Sequence, residues 1–139
     1  EESYRFRLII ECMGLQEPGF RIDGHQFARS RAAHEAFIAD LHRSPSVERF
    51  FEINAGFHAM LAACSGNRFL LQAMEAQNAL RRLTEYADYG ELEADALLKS
   101  CREHLAILDA LEQGDINWAV ILMRQHLTRP AREAASPAE

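Results

Sequence analysis

Long apolar runs are missing from this 139-residue chain. No stretch approaches the roughly 20 residues that a membrane-crossing helix requires, and no signal-peptide pattern opens it. Proline is scarce and sits at Pro18, Pro45, Pro130 and Pro137, positions that read as joints between segments. Cysteine is limited to Cys12, Cys64 and Cys101. An odd set of widely spaced cysteines argues against a disulfide framework and suits a reducing cytoplasm, with each thiol serving as a small apolar core group. Excess positive charge is missing too, since the formal net charge is −6. A chain with that balance does not itself grip a nucleic-acid backbone, which needs clustered Lys and Arg. Sustained period-two alternation bounded by turn signals is absent, so no strand is expected.

What is present is apolar content of 48%, enough to bury a sizeable core, in a length that suits one domain. The chain opens on Glu1, which leads to the expectation of a preceding segment. The pattern is helical almost throughout. A first helix is expected over about Glu2 to Leu15, broken by Glu17-Pro18-Gly19, with Phe6, Ile9, Ile10 and Met13 as apolar surface. Asp23 is placed to cap a second helix that runs to about His42. Ser44-Pro45-Ser46 starts the third, and Ser65-Gly66-Asn67 ends it, with Gly66 suited to the left-handed closing position and Asn67 to capping the fourth. The fourth helix is expected to reach about Tyr89. Gly90 separates it from a fifth, about Glu91 to Gln113. Gly114 and Asp115 then introduce a sixth, about Ile116 to Arg129, which Pro130 is expected to end. Residues 131–139 read as a disordered tail. Six helices with short joints imply a single antiparallel all-α bundle over residues 1–130.

Inside that bundle the informative residues are His58, His104 and His126, with Asn54. Residues four apart share a helix face, so Asn54 and His58 point at one spot amid Phe50, Ile53, Phe57 and Leu61. His104 lies among Leu97, Cys101 and Leu108, and His126 follows Leu122 and Met123. Taken singly, each reads as a hydrogen-bonded structural histidine. Taken together, three imidazoles are directed into an apolar interior from three helices. A divalent metal would offset the cost of burying them, because three His and an oxygen donor form a common shell that leaves open positions. Zinc is the default ion, with nickel or manganese as alternatives. His25, His34 and His42 fall in a segment rich in Arg and Glu and are expected to face solvent.

These residues also carry a family resemblance. Asn54-Ala55-Gly56-Phe57-His58 with Ala63-Cys64-Ser65-Gly66-Asn67 resembles the "D-x-x-F-H … a-s-G-N" signature of the FCD domain of GntR-type transcription regulators. Glu103-His104 through Leu111 with Gly114-Asp115, and Ala119 with Met123-Arg124-Gln125-His126-Leu127, are similar to its later blocks. Tyr4 to Glu11 is similar to the "R-x-x-i-E" of its first helix. The resemblance spans about residues 4–129. It implies an all-helical domain that follows an N-terminal winged helix-turn-helix, here absent from the chain. It also implies a homodimer, a small organic acid as effector, and a metal held by one carboxylate and three histidines. His58, His104 and His126 match the histidine ligands. Asn54 stands at the carboxylate position, where an amide oxygen brings no charge and leaves the centre more positive.

Under this reading an arginine fork would grip the effector's carboxylate, with Arg7 and Arg81 (or Arg82) as candidates. Two other readings carry different chemistry. A metal-dependent hydrolase would need a general base, and Glu103 beside His104 is poorly aimed, since neighbours on a helix diverge by about 100°. A metal-free structural bundle would leave the histidines as core residues. No catalytic residue is assigned.

Overall fold

The computed structural model describes residues 2–43, 46–84 and 93–135. It contains six helices and, among the described residues, no strand: α1 (Glu2–Leu15), α2 (Gly24–Asp40), α3 (Val47–Cys64), α4 (Arg68–Thr84), α5 (Ala94–Glu112) and α6 (Ile116–Ala135). No helix among the described residues is long and apolar enough to cross a membrane.

The helix ends follow their local chemistry. Asp23 accepts from the backbone N–H groups of His25 and Gln26, and the Ser46 hydroxyl accepts from that of Arg49, each satisfying donors that a helix start leaves free. Asn67 Oδ1 takes Phe69 N at 3.1 Å and Leu70 N at 3.4 Å, and Asp115 Oδ1 takes Trp118 N at 2.9 Å. Gly66 and Gly114 adopt φ of +71° and +76°, the left-handed conformation that closes a helix without a Cβ penalty. The expected end of α4 near Tyr89, the joint at Gly90 and the expected start of α5 at Glu91 lie outside the described residues.

One expectation about the helices is corrected. Helix α6 does not stop at Pro130 but continues to Ala135. A proline removes one backbone donor, yet the residues after it, Ala131-Arg132-Glu133-Ala134-Ala135, have among the highest helix propensities. Helix α1 turns only part of its apolar surface inward, with Ile10 lining the interior beside His58. Arg7, Glu11, Cys12, Gly14 and Leu15 are buried, whereas Phe6, Ile9 and Met13 are 43%, 64% and 55% exposed. The inward face of α1 combines the Arg7–Glu11 ion pair with the core residues Cys12 and Leu15, while Phe6, Ile9 and Met13 are left outside.

Helix α3 is central and packs on α1, α2, α4 and α5, while α6 lies against α1 and α5. The core has two apolar clusters. One gathers Leu15, Phe27, Phe57, Leu61, Leu108, Met123 and neighbours; the other gathers Phe37, Leu41, Phe50, Phe51, Leu97 and Cys101. Along α3 the change from one cluster to the other falls between Phe51 and Phe57, and Asn54 occupies that gap. Along α5 it falls between Cys101 and Ile107, and His104 occupies it. The polar residues therefore enter the bundle where its two cores meet.

Candidate metal centre

The structure brings His58, His104 and His126 together: one ligand atom from each lies within 4.8 Å of the others, and all three residues are buried. Their ring centroids are 4.6 Å apart for His104 and His126, 5.1 Å for His58 and His104, and 5.4 Å for His58 and His126. Phe57 stacks on His104 at 4.0 Å and meets His58 edge-on at 5.0 Å, walling one side with an aromatic face. Asn54 is buried one helical turn before His58.

The far nitrogen of each ring has its own partner. His58 Nδ1 is bonded to Glu11 Oε2. Glu11 Oε1 in turn takes Arg7 Nε–H at 2.7 Å. His126 Nδ1 donates to Glu103 Oε2 at 2.6 Å, and Glu103 also accepts Arg129 Nε at 3.1 Å and Nη2 at 3.2 Å. His104 Nδ1 faces His34 Nε2 at 2.9 Å, and His34 Nδ1 lies 2.7 Å from the Ser30 carbonyl. Carbonyl and carboxylate oxygens accept, so these partners assign the protons. His58 and His126 carry theirs on Nδ1. His34 gives its Nδ1 proton to Ser30, which leaves its Nε2 to accept from His104 Nδ1–H.

Consequently all three Nε2 atoms carry lone pairs. His104 Nε2 and His126 Nε2 face each other at 3.1 Å, and His58 Nε2 is buried without a hydrogen-bond partner among the described residues. Opposed lone pairs at that separation are unfavourable unless a proton or cation lies between them. Two nitrogens bound to one cation at about 2.0–2.1 Å lie roughly 3.0–3.4 Å apart, so the observed spacing fits. An orphaned buried nitrogen and a facing pair of imidazole lone pairs are the donor set of a borderline divalent metal.

The surroundings keep these rings neutral. Burial, then the charges of Arg7, His126 and Arg81, hold His58 well below its ordinary 6.5. Burial, then its histidine neighbours, does the same to His104. Burial lowers His126 against the pull of Glu103, and lowers His34 against its bond to Ser30. Burial pushes Glu103 up, but the bond from His126 and the Arg129 charge prevail and leave it below the usual carboxylate range.

A pH dependence follows for the metal-free protein. The unfolded chain takes up histidine protons as the pH falls through about 6.5, while the folded chain refuses them, so stability falls. Each ring kept neutral contributes about 1.4 kcal/mol per pH unit below that point. Urea unfolding of metal-free protein is expected to show constant stability above pH 7 and a steep decline from pH 6.5 to 5.5. Unchanged stability over the lower range would contradict the buried neutral rings.

The candidate arginines divide. Arg7 and Arg81 are buried at 1% and 2% exposure, and both guanidinium carbons lie 5.9 Å from the Tyr4 ring centroid. Arg7 Nη2 is buried without a hydrogen-bond partner among the described residues. Arg82 is half exposed and pairs with Glu52 on the surface. Beside His58 a small cavity of about 10 Å³ is lined by Ile10, Glu11, Leu61, Leu70, Met74 and Met123 among others, space for about one water.

His25 and His42 face solvent as expected, but His34 does not. It is fully buried, on the stripe formed by Phe27, Ser30, His34, Phe37 and Leu41. That period was the available signal, hidden by the charged residues on the other faces of α2. Glu11 was placed on one side of the first helix and in a family block but not as a partner, yet its i, i+4 relation to Arg7 announces a pair. The three cysteines are free and buried, as expected, and burial pushes the Cys101 thiol up to about 12.

No curated protein matches this chain. The FCD domain family model matches residues 2–129, nearly the whole chain. With its six-helix architecture and its inward-facing histidines, the chain belongs to the FCD domain family.

Proposed function

We propose that this domain is the effector-sensing and dimerisation part of a GntR-type transcription regulator, binding a small organic acid beside a divalent metal. FCD domains belong to such regulators, and three buried histidines that can form a metal site fit that setting. The observation that carries the reading is the convergence of three Nε2 lone pairs, each enforced by a partner on Nδ1.

His58, His104 and His126 would hold the ion, zinc first and nickel or manganese next, with Asn54 as the neighbouring oxygen donor. A bound divalent cation would supply a positively charged seat for an anionic oxygen. With three neutral imidazoles and an amide, the ligand set subtracts no charge from the ion, so an acid is the effector best matched to the site. Arg7 and Arg81 would fork the acid's remaining oxygens. Glu11 and Glu103 are both engaged behind histidines and paired with arginines, which leaves neither placed as a general base.

The space beside His58 holds about one water, less than any organic acid needs. Entry at this point would part α1 from α3 and α4, and that differential demand would let an effector bias the packing. The exposed stripe of Phe6, Ile9 and Met13 on the same helix supports a homodimer contact that would feel the shift. DNA would be reached through the winged helix-turn-helix expected upstream.

Thermal shifts with citrate-like di- and tricarboxylic acids test the reading. These acids are expected to raise the melting temperature more in zinc-loaded protein than after chelation. Arg7→Lys keeps the charge opposite Glu11 but removes the planar fork, and should weaken the acid's effect about 10-fold while sparing zinc binding. Equal shifts with and without zinc would detach acid binding from the metal centre.

A further inference from the structure

We infer that His34 is a positioning residue of the metal centre, selecting the tautomer and in-plane orientation of His104. The inference rests on the metal-binding reading above and concerns a residue outside the ligand set. Helix α2 contributes no ligand. Through His34, at 0% exposure, it nevertheless contacts one directly.

Stacking on Phe57 at 4.0 Å and 16° fixes the plane of the His104 ring. Stacking does not distinguish one edge of an imidazole from the other, nor decide which nitrogen holds the proton. The hydrogen bond from His104 Nδ1 to His34 Nε2 at 2.9 Å decides both. The direction of that bond is set one step further back. If His34 carried its proton on Nε2, its bare Nδ1 would oppose the Ser30 carbonyl oxygen at 2.7 Å, lone pair against lone pair. His104 would then hold a proton on Nε2, the atom that faces His126. With the proton on His34 Nδ1, both bonds are satisfied and His104 Nε2 is bare. A main-chain carbonyl of α2 thus determines the state of a side chain on α5 through one intervening ring.

The two other ligands are backed by carboxylates, Glu11 behind His58 and Glu103 behind His126. A carboxylate raises the basicity of the imidazole it holds; a neutral imidazole does so less. His104 is therefore the ligand oriented without added negative charge. The His34 and His104 ring centroids stand 5.0 Å apart with their planes at 87°, and with 2.9 Å between the two nitrogens the bond runs close to the line joining the rings.

Zinc titration of metal-free protein against a chromophoric chelator tests this. His34→Phe keeps a ring in place and removes the acceptor; His34→Gln restores an acceptor at the end of the side chain. The Phe variant is expected to lose 10- to 100-fold in zinc affinity, on the order of magnitude typical of lost outer-shell partners, and the Gln variant to recover most of it. The metal-free melting temperature of each variant should not rank with its zinc affinity, as it would if His34 served packing alone. Long-range proton–nitrogen spectra of zinc-loaded wild type should show His34 protonated on Nδ1 and bare on Nε2, and this measurement decides even if the Phe variant does not fold. Wild-type affinity in His34→Phe, or a His34 proton on Nε2, overturns the assignment while leaving the metal centre standing. Wild-type protein that takes up no zinc overturns both readings.

Discussion

His104→Ala is expected to abolish zinc binding, and with it the zinc-induced rise in melting temperature. In wild type, zinc at 100 times its dissociation constant should add about 2.7 kcal/mol of stability, roughly 8 °C for a domain of this length. The variant should shift by less than ~1 °C under the same linkage. His104 is the ligand whose loss reaches furthest. Its Nε2 faces His126 at 3.1 Å, its Nδ1 holds His34, and its face stacks on Phe57. Removing the ring also leaves a void in the core, at a cost of about 2–4 kcal/mol in the metal-free protein. The two effects separate cleanly, because the first is the difference between zinc and chelator within one variant and the second is the difference between variants under chelator. An unchanged zinc stoichiometry in the Ala variant would remove His104 from the ligand set.

What could be read from the amino acids depended on whether a signal was local. Asp23, Asn67 and Asp115 were legible as caps because capping is decided within three residues, whereas the start at Ser46 was read from its neighbouring proline. His58, His104 and His126 were legible because each interrupts an apolar stripe on its own helix. Glu11 and Glu103 were not legible as partners. Their histidines lie 47 and 23 residues away, and no helical period links an acid on one helix to a ring on another. His34 was missed for a different reason. It does lie on a stripe, with Phe27 and Phe37, but the overall charge of α2 outweighed the periodicity that decides which face turns inward. On α1 the ion-paired Arg7 and Glu11 lie inside with Cys12 and Leu15, while Phe6, Ile9 and Met13 lie outside.

Glu11→Ala should be the most destabilising single change at the site, by about 3–5 kcal/mol in urea unfolding of the metal-free protein. The carboxylate is buried between two groups, Arg7 at 2.7 Å and His58, and its removal strands both. Arg7 cannot release its proton, so at 1% exposure it would remain an uncompensated cation in the core. Glu11→Gln keeps an oxygen that can accept from His58 but supplies no charge to Arg7. It should therefore preserve zinc affinity better than Glu11→Ala while recovering little stability. A double-mutant cycle locates the cause. In an Arg7→Met background no cation is left to strand, and the Glu11→Ala cost should shrink to below ~1.5 kcal/mol, the worth of an ordinary buried hydrogen bond. An equal cost in both backgrounds would mean that Glu11 acts on stability through His58 alone, and that the buried charge of Arg7 is balanced by another group.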